Sequence, residues 1–115
     1  MKIQGEAKRL RIYIGESDQW NGQPLATAII EKCRKDGLAG ATIFRGIQGF
    51  GANSRIHTTH ILDLSSDLPI VIEIVDKSER IAQLLPTLDQ MVTEGLITQE
   101  EVHVIKYTHN DKKRG

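Results

Sequence analysis

Between Pro69 and Val75 the chain alternates without a break, with Ile70, Ile72 and Ile74 on one side and Val71, Glu73 and Val75 on the other. Side chains on a strand point to opposite faces with a period of two, so this is a strand with one apolar face and one mixed face. Its isoleucines need an apolar layer, and two stretches supply one at helical spacing. Leu25, Ile29 and Cys33 recur at i, i+4 and i+8, after Pro24 and before Gly37, which predicts a helix running to Asp36. Ile81, Leu84, Leu88 and Met91 mark a second helix. Asp76 reads as its acidic cap, with Glu79 three residues on, and Gly95 as its end.

The other strands are shorter readings. From Ala7 to Ile14, Leu10, Ile12 and Ile14 face one side, and Arg9, Arg11 and Tyr13 the other. A second strand is expected from about Ala41 to Ile47, and a third region from His57 or His60 through to Pro69 and beyond. Thr98–Glu101 reads as a capped turn, and Val102–Tyr107 as the last strand. Glu16–Gly22 reads as a polar loop around Trp20, which anchors it to the core or stacks on a ligand. The order β-α-β-β-α-β is the α+β, ferredoxin-like plan, an antiparallel sheet with two helices on one face. The opposite face, with Tyr13, Val71, Val75, Ile105 and Tyr107 beside Arg9 and Arg11, is part-apolar and calls for a partner surface. At 115 residues the expectation is a single domain, with its core over about 5–107 and a polar tail over 108–115.

Charge narrows the function. Fifteen Lys and Arg balance fifteen Asp and Glu. That argues against a nucleic-acid partner, which calls for a basic excess, and leaves little repulsion between copies. The single cysteine, Cys33, makes no internal disulfide and no four-cysteine zinc site. No apolar run approaches the ~18–20 residues of a membrane span, and Met1–Leu10 has no apolar signal core, so a cytoplasmic protein is expected.

Arg45–His57 is the most informative stretch. Gly46, Gly49 and Gly51 allow backbone amides to approach a ligand, Arg45 and Arg55 can fork a phosphate, and Phe50 can cover a base. A flexible hairpin with turn glycines explains the same residues. The glycine order is not that of a dinucleotide or P-loop fingerprint. His57 and His60 fall on opposite faces of a regular strand, so a shared metal needs an irregular loop or several subunits. There is no nucleophile elbow. Asp63, Asp67, Glu73 and Asp76 read as turn, surface and cap residues before they read as a catalytic pair. The end of the chain, Lys106–Arg114, is locally basic: a phosphate clamp or a solvated tail.

Six segments together carry a resemblance. They are Leu10–Glu16, Gly22–Leu25, Gly37–Thr42, Arg45–Gly51, Ser65–Glu73 and Glu94–Thr98. Over roughly residues 5–107 the chain resembles the PII-like family catalogued as a bacterial domain of unknown function. The resemblance implies ferredoxin-like subunits in a homotrimer. It also implies a small-molecule ligand, an adenine nucleotide, in the intersubunit clefts, and a loop between the second and third strands that reports occupancy to a membrane transporter or an enzyme. Gly49-Phe50-Gly51 matches the root of that loop, and its continuation, about Ala52–Thr59, is short. On this basis the ligand residues are Arg45, Gly49, Phe50, Gly51, Asn53, Arg55 and His57, with Lys106 from a neighbouring subunit. The chain departs from PII proteins where they carry a Gly-Asp-Gly-Lys phosphate clamp: it has Glu94-Gly95-Leu96-Ile97 and no lysine. The paired C-terminal arginines are absent too, with Lys106 and Lys112 nearest. A monophosphate or cyclic nucleotide therefore suits the site better than a triphosphate. The expectation is a non-enzymatic regulatory protein. The alternatives are a divalent-metal trimer using His57 and His60, an enzyme with Arg45, His57 and a carboxylate across an interface, and a structural adaptor.

Overall fold

The structure, a computed structural model, describes residues 1–51 and 67–110. In chain order the elements are β1 (Lys2–Gly15), β2 (Gln19–Trp20), β3 (Gln23–Pro24), α1 (Leu25–Lys35), β4 (Thr42–Arg45), β5 (Pro69–Asp76), α2 (Ser78–Met91) and β6 (Leu96–Thr108). The main sheet has the order β4-β5-β1-β6, antiparallel throughout, as the ferredoxin-like plan requires.

The isoleucine alternation sets the register. Leu10 pairs with Ile74, Ile12 with Ile72 and Ile14 with Ile70, and all six side chains are buried under the helices. Leu25, Ile29 and Cys33 of α1 and Ile81, Leu84 and Leu88 of α2 complete that core. Each fully buried aliphatic side chain contributes about 1.5–3 kcal/mol of transfer free energy.

Several local readings are corrected. Glu16–Gly22 is not only a loop. Trp20 pairs with Gln23 across Asn21 and Gly22, both at positive φ (50° and 82°), the geometry of a two-residue hairpin. The Asn-Gly pair is itself the strongest short hairpin signal. The hairpin also starts α1, because the Leu25 N–H donates to the Asp18 carbonyl at 2.8 Å. At the other end of α1, the Gly37 N–H reaches the Arg34 carbonyl and the Leu38 N–H reaches the Cys33 carbonyl, a Schellman stop.

Asp76 is not a helix cap. The N-cap position is Lys77, with no side-chain cap bond, and Asp76 lies fully buried at the end of β5. The last strand begins at Leu96, so Thr98–Glu101 is strand rather than a turn. A long partner decides this: β1 runs from Lys2 and pairs with β6 along its length. The outer ends of the two strands clasp there, the Met1 ammonium donating to the His109 carbonyl and the His109 N–H to the Met1 carbonyl. The third strand region near His57 and His60 lies outside the described residues.

Candidate functional site

The face of the sheet away from the helices carries the chemistry, and the register lays it out in rows. One row runs Phe44–Val71–Tyr13–Leu96 across all four strands. It is apolar and open, with Phe44 51% and Leu96 54% exposed. The next row is Thr42–Glu73–Arg11–Thr98, followed by Val75–Arg9–Glu100. These rows are tied by ion pairs: Arg11 Nε to Glu73 at 3.0 Å and Arg9 Nη2 to Glu100 at 2.7 Å. The hydrogen bond from Arg9 holds the Glu100 carboxyl below its ordinary range. The Glu73 hydrogen bond raises the Arg11 guanidinium.

Beyond the charged rows, Gly5 pairs with Val104 but Ile3 pairs with Tyr107. Strand β6 therefore carries one residue more than β1 here, a bulge. Strict alternation would put Val104 and Tyr107 on opposite faces. The bulge brings both into one groove, and leaves Ile105, expected on this face, 78% exposed and out of it.

Among the described residues, two grooves lie at opposite ends of the open face. The first, about 310 Å³, lies where β1 ends and β5 and β6 begin, lined by Tyr13, Asp18, Phe50, Gly51, Glu94 and Leu96. The second, about 290 Å³, lies at the far end between the Ala39–Thr42 segment and Val75, Val104, Lys106 and Tyr107. The first is aromatic and acidic. Among its described residues there is no Lys or Arg, and the Asp18 carboxylate is occupied by the Gly15 N–H at 3.0 Å. The second has an apolar floor, one ammonium, Lys106, and one carboxylate, Glu73, which is paired with Arg11.

The residues singled out from sequence divide accordingly. Phe50 and Gly51 line the first groove and Lys106 the second. Gly49 packs on Pro69, where a Cβ would sit 3.2 Å from the ring. Arg45 ends β4 and pairs with Glu16, lining neither groove. Asn53, Arg55 and His57, and His60 with them, lie outside the described residues. Sequence reasoning missed Tyr13, Leu96 and the Ala39–Thr42 wall as groove residues. The wall lay within the Gly37–Thr42 segment, but its role depends on a strand pairing that no local pattern announces. Among the described residues, no group of three His, Cys, Asp or Glu side chains converges to hold a metal.

Residues 7–104 match the DUF190 family model, described as Uncharacterized ACR. The chain is 39% identical over 98 residues to a UPF0166 protein of Aquifex aeolicus, covering 85% of this chain and 92% of the relative. It is 36% identical over 102 residues to one from Methanocaldococcus jannaschii, covering 88% and 94%. Among solved structures it is similar to CPII from Thiomonas intermedia K12, solved bound to ADP and bicarbonate. The TM-score is 0.59 at 19% identity, over 86% of this chain and 88% of that one. No helix among the described residues is long and apolar enough to cross a membrane.

Proposed function

From the premise that this chain belongs to the DUF190 family and has a PII-like fold, we propose that it is a non-enzymatic regulatory protein. In this reading it binds an adenine nucleotide between copies of itself. The observation that carries the reading is the division of ligand-binding chemistry between two grooves on one open face. Phe50 and Tyr13 offer surfaces for a base in one, and Lys106 offers a cation for a phosphate in the other. In a single chain the grooves are separated by the ten residue steps from Ile3 to Tyr13, roughly 33 Å of strand. A site that uses both is completed by a second copy, and the open apolar row Phe44–Val71–Tyr13–Leu96 is the surface that recruits it. We take the assembly to be a homotrimer. CPII bound to ADP supports the nucleotide class.

Charge selects within that class. Asp18 and Glu94 repel phosphates from the Phe50 groove, and Lys106 is a single ammonium. AMP, cyclic AMP or ADP is therefore favoured over ATP. Gly49, Phe50, Asn53, Arg55 and His57 are proposed as the ligand-responsive segment, with Arg45 at its root on β4, and that segment passes occupancy to a transporter or enzyme partner. A coupling of about 1–3 kcal/mol is enough for a 5–150-fold change in partner affinity.

Native mass spectrometry of the untagged protein, followed by calorimetric titration with AMP, cyclic AMP, ADP and ATP, tests the reading. A trimer that binds one of the first three more tightly than ATP is expected. A monomer, or tightest binding of ATP, overturns it.

A further inference from the structure

The wall of the second groove is held from three directions. Asp76 is the one buried charged side chain among the described residues, at 0% exposure. Its Oδ2 accepts the Ala39 N–H at 2.8 Å and Arg80 Nε at 3.3 Å, and its Oδ1 accepts the Lys77 N–H at 2.7 Å. Arg80 also donates to the Gly37 carbonyl. From the opposite side, the Tyr107 hydroxyl of β6 donates to the Ala39 carbonyl at 3.0 Å. Residue Ala39 is thus fixed at both ends, its N–H by β5 and its C=O by β6.

Ending α1 does not require this arrangement, because the Schellman bonds at Gly37 and Leu38 already do so. Nor does sealing the core, where a well-packed apolar residue serves as well as a buried charge. What the bonds do is hold Ala39–Thr42 upright over Val75 and Val104. The β6 bulge is what allows the Tyr107 ring to reach that segment while Val104 stays on the groove floor.

We propose that Asp76 and Tyr107 are positioning residues that keep the groove wall preformed, so that a ligand enters without having to order it. The ligand class rests on the nucleotide reading above; the positioning role does not. The same bonds tie groove occupancy to the first turn of α2 through Arg80 and to the end of β6 through Tyr107. By reciprocity, a nucleotide in the groove tightens those bonds as much as the bonds tighten the nucleotide.

The test combines site-resolved hydrogen exchange with AMP, cyclic AMP and ADP titration of the full chain carrying Tyr107→Phe or Asp76→Asn. Tyr107→Phe is expected to speed exchange over Ala39–Thr42 by about tenfold, the worth of one hydrogen bond, while amides within α1 and α2 exchange as in the unaltered protein. Nucleotide affinity falls severalfold in parallel. Asp76→Asn adds faster exchange at the Lys77 amide. A uniform rise across the helices would mean a general stability role and would overturn the proposal. Unchanged exchange over Ala39–Thr42, or faster exchange with undiminished nucleotide affinity, overturns it as well. Should Asp76→Asn fail to fold, Tyr107→Phe decides alone. Should the unaltered chain bind none of AMP, cyclic AMP and ADP, the nucleotide reading falls, and the exchange pattern still decides the positioning role.

Discussion

Gly95 is a position where one added methyl group meets a backbone atom head-on. A Cβ there would sit 2.7 Å from the Tyr13 carbonyl oxygen and 3.0 Å from a Val92 methyl. The backbone oxygen belongs to the central strand and has no room to retreat. Gly95→Ala is therefore expected to destabilise the fold by about 1–3 kcal/mol, read as a lower urea midpoint with unchanged slope. The same substitution disturbs the Tyr13–Leu96 end of the first groove, so nucleotide binding weakens with it. Cys33 makes a different prediction. Burial beneath α1, reinforced by Asp36, pushes its thiol up from 9.0 to about 11. The folded chain then holds the thiol proton more tightly than the unfolded chain. The associated stability is fully present below pH 9 and is lost as pH rises through about 11. Comparing urea denaturation at pH 8.5 and 11 for the unaltered chain and Cys33→Ala isolates the effect. The alanine variant, though less stable from lost packing, should show the shallower decline. At neutral pH the thiol should resist aromatic disulfide reagents until the chain unfolds.

At the scale of elements, β1 and β6 form the longest pairing, and its middle is charged. Arg9 holds Glu100 below the ordinary carboxylate range through a hydrogen bond. Arg9→Gln should return the Glu100 carboxyl toward 4.5, measured by carbon-detected NMR titration. The sign follows from linkage: the ion pair favours the folded chain above the ordinary carboxylate range and is lost as pH falls through the depressed value. How far sequence reveals the elements depends on where their information lies. Pro69–Val75 and both helices are legible because burial writes its period directly into Ile70, Ile72, Ile74 and Ile81, Leu84, Leu88. The second half of β6 is legible too, as Val102–Tyr107, but its first half is not, because Leu96–Glu101 has no apolar alternation and exists through backbone pairing with β1. Asp76 shows the same limit. Locally it has the form of a cap, but the donor that recruits it, Ala39, is 37 residues away. Of the candidate site, Phe50, Gly51 and Lys106 were legible as chemistry. Their division between two grooves follows from topology, and the Tyr107 contact from a bulge that Val102–Tyr107 does not betray.

On the scale of the whole molecule, the two faces of the sheet have opposite fates. The helix-covered face is closed by its own chain, while the open face keeps Phe44, Tyr13 and Leu96 at the surface. If that face is where copies meet, Leu96→Glu should convert the assembly to monomer in sedimentation velocity, because it sets a charge in an apolar contact. Lys35→Glu on the helix layer should leave the assembly intact. The clasp between Met1 and His109 reaches further than stability. It puts the two ends of β1 and β6 side by side, so the order in which the strands are threaded is, at that corner, a convention. A circular permutant that links His109 to Met1 through a short Gly-Ser linker and opens at Asn21–Gly22 should recover the same circular dichroism spectrum.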